Sequence, residues 1–69
     1  MRVKVDLNAD ALYFRLSEEL IESSEEVSSG VVLDHNKDGK VVGIEILGIK
    51  GRFRPEELSN LQVEMPTVA

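Results

Sequence analysis

Two short stretches near the start of the chain alternate strictly between apolar and polar positions. They are residues 2–7, Arg-Val-Lys-Val-Asp-Leu, and residues 12–17, Leu-Tyr-Phe-Arg-Leu-Ser. A period of two marks strands with one face toward a core. Asn8-Ala9-Asp10-Ala11 separates them, giving a loop of two residues (Ala9, Asp10) or of all four. Either length places Val3, Val5 and Leu7 on the face that also carries Leu12, Phe14 and Leu16, whereas an odd loop would turn one strand over. A second pair is marked by Val31-Val32-Leu33, the tip Asp34-His35-Asn36-Lys37-Asp38-Gly39, and Lys40 to Leu47. Asp-Gly between β-branched runs signals a hairpin. An even loop here unites Val31 and Leu33 with Val42, Ile44 and Ile46, and these eleven residues form the predicted core face.

Between the hairpins, Glu18 to Gly30 holds five glutamates (18, 19, 22, 25 and 26), four serines and no base. With Leu20, Ile21 and Val27 as its apolar residues, it reads as an edge strand or a loop crossing from one hairpin to the other. After Gly48 and Gly51, Pro55 followed by Glu56 and Glu57 marks a helix start within Phe53 to Leu61. Leu58 and Leu61 would share one side of that helix, and Val63 and Met65 before Pro66 suggest a last short strand. The fold class is α+β: an antiparallel sheet of four to five strands from two β-hairpins with one short C-terminal helix, residues 1–69 forming a single domain.

Length sharpens this picture. A chain of 69 residues buries only about 60% of its unfolded surface, so its core is thin. With no cysteine, disulfides and thiolate zinc sites cannot reinforce it, and oligomerisation is the remaining support. A homo-oligomer, most simply a dimer, is expected, with Tyr13 or Leu47 in its surface. The net charge of −5, from 13 acids and 8 bases, repels nucleic-acid phosphates and anionic membranes and suits a basic protein partner. No run is apolar and long enough for a spanning helix, and the absence of cysteine accords with a reducing compartment; the expected location is cytoplasmic.

Asp6, Asn8 to Tyr13, Gly30 to Asp34 and Asp38 to Leu47 together closely resemble a family of small prokaryotic proteins, domain of unknown function number 2283, over residues 2–47. The resemblance implies a small α+β domain and brings no activity, cofactor or catalytic residue with it. The gene neighbourhood of some members implies a partnership with small toxin-like proteins.

The sharpest candidate chemistry is a cation loop. Asp34, Asn36, Asp38, Gly39 and Glu45 fit the calcium-loop pattern D-x-[DN]-x-[DN]-G-x5-E. That loop needs helices on both sides, however, and Val31 to Leu33 and the flanking glycines are poor helix formers. Asp, Asn and Gly at this position are what a hairpin tip requires without metal. His35, the sole histidine, has no thiol to activate and is expected to cap the core face beside the turn. Asp6 and Asp10 form no persuasive acid pair, because Asp10 is expected to bond its own turn. Lys50, Arg52 and Arg54 around Phe53 are too few for a nucleic-acid footprint on so acidic a chain and are read as partners of its own glutamates. The face opposite the core carries Lys4, Asp6, Tyr13, Arg15, Val32, Val41, Glu45 and Leu47, with Lys4 expected across from Arg15. No catalytic, cofactor or metal-binding residue is assigned. The function expected is a non-enzymatic, self-associating interaction module, with a basic protein as a further partner. The alternative is a small-ligand or weak cation-binding domain using the Asp34 to Glu45 hairpin or a cleft beside the helix.

Overall fold

The computed structural model describes residues 1–68. Five strands, β1 (Arg2–Asp6), β2 (Ala11–Arg15), β3 (Ser23–Ser28), β4 (Val31–His35) and β5 (Val41–Leu47), form one antiparallel sheet in the order β1-β2-β5-β4-β3. A 3-10 turn, Ile49–Gly51, and one helical turn, α1 (Pro55–Leu58), follow. The α+β class and both expected hairpins are present, and the glutamate-rich stretch resolves into a crossing loop followed by the edge strand β3.

The first hairpin pairs Val3 with Phe14, Val5 with Leu12 and Asp6 with Ala11. Its four-residue turn is Leu7 to Asp10, in which Asp6 Oδ1 accepts the Ala9 N–H at 2.9 Å and Asp10 takes a positive φ of 54°. Drawing Leu7 into the turn shifts the expected register by two, so Lys4 lies opposite Tyr13, and Arg15 faces Arg2 instead of Lys4. An even shift leaves every side chain on its expected face.

The second hairpin corrects the even-loop expectation. His35 pairs with Val41, enclosing five residues, and a bulge between Asp34 and His35 places Asp34 opposite Gly43. The extra residue of the bulge compensates for the odd loop, so Leu33 still meets Ile44 and Val31 still meets Ile46. Asn36 shapes the tip: its Oδ1 accepts the N–H groups of Asp38 at 3.0 Å and Lys40 at 2.9 Å. Gly39 supplies the left-handed conformation the turn needs, with φ 81°.

Beyond β5 the chain turns back at Gly48, and Asp10 secures that turn. Its carbonyl accepts the Gly48 N–H at 2.8 Å and its carboxylate accepts the Lys50 N–H at 2.8 Å. The expectation that Asp10 bonds its own turn is therefore corrected: its partners lie some 40 residues along the chain. This closure buries Ile49 completely. Arg52 then donates to the carbonyls of Leu47 and Ser29, fastening the β3–β4 turn to the end of β5.

α1 begins at Pro55 as expected, with the Arg54 N–H donating to Glu57 Oε1 at 2.9 Å, but it ends at Leu58. Leu61 therefore lies beyond the helix and is largely exposed, although it lines the same groove as Leu58, and residues around Val63 and Met65 form no strand. Phe53 and Leu58 lie over the β1–β2 side of the sheet. This cover is thin. Val42 and Ile49 are the fully buried apolar residues, while Val3, Val5 and Leu7 of the expected core are exposed and the rest of that face is half-buried. The molecule measures 37 × 37 × 19 Å, a single sheet with a partial second layer.

Candidate functional site

The face away from α1 carries a polar network set by register. One row across the sheet reads Arg2, Arg15, Gly43, Asp34, Ser24, and the next reads Lys4, Tyr13, Glu45, Val32, Glu26. Asp34 is 1% exposed and its carboxylate has two donors, the Tyr13 hydroxyl at 3.2 Å and Ser24 Oγ at 2.6 Å. The phenol reaches Asp34 by crossing over Gly43, where a Cβ would stand 2.8 Å from the Tyr13 hydroxyl and 3.0 Å from Asp34 Oδ2. Gly43 is therefore a glycine because a side chain passes over it, not because its backbone is unusual.

Glu45 lies diagonally from Asp34 on adjacent strands. Burial first, and then the Asp34 carboxyl beside it, push the Glu45 carboxyl above its ordinary value. Burial, followed by the hydrogen bond to Asp34, likewise pushes the Tyr13 phenol up. The crossing loop closes over the end of the network. Arg15 Nη2 donates to the Glu19 carbonyl at 2.6 Å and Asn36 Nδ2 to Glu19 Oε2 at 3.2 Å, while Arg15 Nη1 is buried without a hydrogen-bond partner. These groups hold one another in place, an arrangement suited to rigidity.

The calcium-like residues are dispersed by the same geometry. Asp34 belongs to a strand and not to the turn, bonded to Tyr13 and Ser24; Asn36 faces the turn backbone; Asp38 is exposed; Glu45 lies along β5. Among the described residues no group of three or more His, Asp or Glu could hold a metal ion. His35 is half-buried at the end of β4, beside the turn. Asp6 and Asp10 are each occupied by backbone N–H groups, and the first of these bonds holds the Asp6 carboxyl below its usual range. The basic cluster is divided: Arg52 fastens two turns, Arg54 approaches Glu57 at 3.6 Å, and Lys50 borders the cleft beside α1. Of the proposed anchors, Tyr13 is committed to Asp34 and Leu47 is exposed.

The apolar face contains the open surface. Val31, Leu33, Ile44 and Ile46 on β4 and β5 remain half-exposed. Beside α1 runs a cleft of about 500 Å³ walled by Val5, Leu7, Phe53, Pro55 and Leu58, with Lys50 at its edge. Sequence reasoning placed most of these residues on one face but missed the extent of their exposure, because alternation reports which side a residue faces and not what covers that side. It missed Ile49 and Asn36 as buried positions altogether; the one signal was their place beside a glycine turn or at a hairpin tip.

No helix among the described residues is long and apolar enough to cross a membrane. Comparison with curated proteins and with solved structures finds no match. A family model described as protein of unknown function (DUF2283) matches residues 2–50, which takes in the whole sheet, the first turn and the start of the 3-10 turn. The matched span includes Asp6, Asp10, Tyr13, Asp34, Gly43 and Glu45, the residues of the turn closure and the polar network, and the chain belongs to that family.

Proposed function

We propose that this domain is a non-enzymatic interaction module that self-associates through the apolar face of its sheet. The observation that carries this reading is the surface left over. The chain exposes 5549 Å², where a compact monomer of 7.7 kDa exposes about 4,300 Å². The surplus of about 1,200 Å² is shared between the half-exposed apolar face and the unpaired segment after α1, and a stable interface buries roughly 800 Å² per partner. The face supplies apolar side chains in a flat array, the form that a second copy related by a two-fold axis covers symmetrically.

The sheet edge is a poorer route. β3 presents Glu25 and Glu26, exposed like every residue of that strand, so two β3 edges repel each other. Self-association thus moves from the Tyr13 side, where the phenol is already engaged, to the face that bears Val3, Val5 and Leu33. Sedimentation from low micromolar to about 100 µM is the test. A two-chain species is expected, converted to a monomer of unchanged circular dichroism by Val3→Lys; a wild-type monomer throughout that range would overturn the reading.

The glutamates of the crossing loop and of β3, all exposed, favour a second reading, a basic partner on that edge. An oligolysine peptide would then bind in low salt and be released as salt rises, whereas salt-independent binding or none would dismiss it.

A further inference from the structure

Residues 60–68 are at odds with the rest of the chain. They lie in no helix or strand, and no backbone hydrogen bond among the described residues involves them. Yet Leu61, Val63 and Met65 alternate as a strand does, and they are 61%, 64% and 83% exposed. Such a ribbon presents its three apolar side chains along one side over about 13 Å. The cleft beside α1 offers the complementary surface: five apolar walls and a single charge, Lys50. The segment from Ser59 to Val68 also carries a single charge, Glu64, of the opposite sign. Lys50 forms no ion pair among the described residues.

The cleft cannot receive the whole ribbon from its own chain. Ser59 lines it, and Asn60 and Leu61 lead away from it into the adjoining groove over Val3, Leu12 and Phe14 of their own chain, so returning to the cleft would take a four-residue reversal over Leu61 to Glu64 and leave Val63 in the turn. A second copy is under no such constraint. We infer that the segment Val63 to Met65 of each chain docks in the α1 cleft of a second copy, with Glu64 held at the rim by Lys50, so that the two chains exchange these segments reciprocally. This rests on the self-association proposed above and identifies its contact. It also explains why the wall formed by Val5, Leu7 and Phe53 stands open: the residues that close it belong to the other chain. Reciprocal exchange is a low-cost route to a closed dimer.

The absence of cysteine makes the test direct. Full-length chains carrying Leu7→Cys alone and Val63→Cys alone are mixed and oxidised, and a disulfide-linked pair of unlike chains is expected. A chain carrying both substitutions that closes its bond internally, at monomer mass, would overturn the inference. The charges supply an independent measurement. Lys50→Glu and Glu64→Lys should each weaken the dimer by up to about fivefold, and the double reversal should restore it. Val63→Asp should raise the dissociation constant by about tenfold or more. A dimer indifferent to Val63→Asp and to both reversals refutes the exchange while leaving self-association in place; a wild-type monomer refutes both.

Discussion

Gly43→Ala is the substitution that most directly probes the polar network. A Cβ at this position would stand 2.8 Å from the Tyr13 hydroxyl, 3.0 Å from Asp34 Oδ2 and 3.1 Å from Tyr13 Cε1. These separations are below van der Waals contact, so the phenol must lift off the strand. Lifting it removes one of the two donors that satisfy the Asp34 carboxylate, at a cost of about 1.5–3 kcal/mol for a bond to a charged group. Alanine recovers about 0.5–1 kcal/mol, because glycine within a strand is intrinsically unfavourable. The net loss is therefore about 0.5–2.5 kcal/mol, which lowers the melting temperature of a domain this size by about 2–20 °C. Thermal melts of wild type, Gly43→Ala, Tyr13→Phe and the double variant complete the cycle. Tyr13→Phe should itself be destabilising, and Gly43→Ala should cost less in its presence, since the hydroxyl that sets the closest contact is gone while the ring edge at 3.1 Å and Asp34 Oδ2 at 3.0 Å remain. Equal costs for Gly43→Ala in both backgrounds, or a single variant as stable as wild type, would refute the claim that Gly43 exists to let Tyr13 reach Asp34.

Two further outcomes are expected. Glu45 has its carboxyl raised above the ordinary 4.5 by burial and by Asp34. The stability it contributes is thus fully present below that value and is lost as pH rises through the raised one. Asp6 and Glu18, held low by the Ala9 N–H and by Arg2 respectively, act in the opposite sense and lose their contribution as pH falls. Urea titrations of Glu45→Gln and wild type between about pH 4 and pH 8 should show the variant gaining on wild type as pH rises; a difference independent of pH would refute the assignment. Ile49→Ala should cost about 2–5 kcal/mol, a large part of the stability of so small a domain, and denaturation as resistant as that of wild type would show that the turn after β5 is not part of the core.

Much of the sheet was legible because side-chain alternation and turn residues act locally. The faces of Val3, Phe14, Leu33 and Ile44 followed from alternation, and even the two-residue shift in the first hairpin left them intact. The five-residue tip of the second hairpin was not foreseen, because a bulge is a long-range compensation: the extra residue at Val42 makes sense only once Leu33 and Ile44 must meet. Asp34 was misplaced for a related reason. Beside Asn36, Asp38 and Gly39 it looks like turn chemistry, and nothing nearby in sequence signals that Tyr13 and Ser24, from two other strands, converge on it. Ile49 follows two apolar residues, Ile46 and Leu47, and a glycine, but its burial depends on Asp10 holding the turn above it. The candidate contact surface was less visible still, since exposure is a property of the layer that is missing.

The strand order also bears on how the chain acquires its structure. β5 is the last strand in sequence yet the central one in the sheet, and its pairing with β2 joins Ala11 to Leu47. As the polypeptide leaves the ribosome, β1 and β2 emerge as a lone hairpin with no third strand beside it, and an isolated hairpin is marginal in water. β3 and β4 emerge next and are likewise without β5. Both fragments await the same seven residues, Val41–Leu47, and the sheet cannot close until these are available. Folding should thus be concerted and late, with the adjacent β4–β5 hairpin forming quickly and the capture of β2 across the long intervening loop setting the rate.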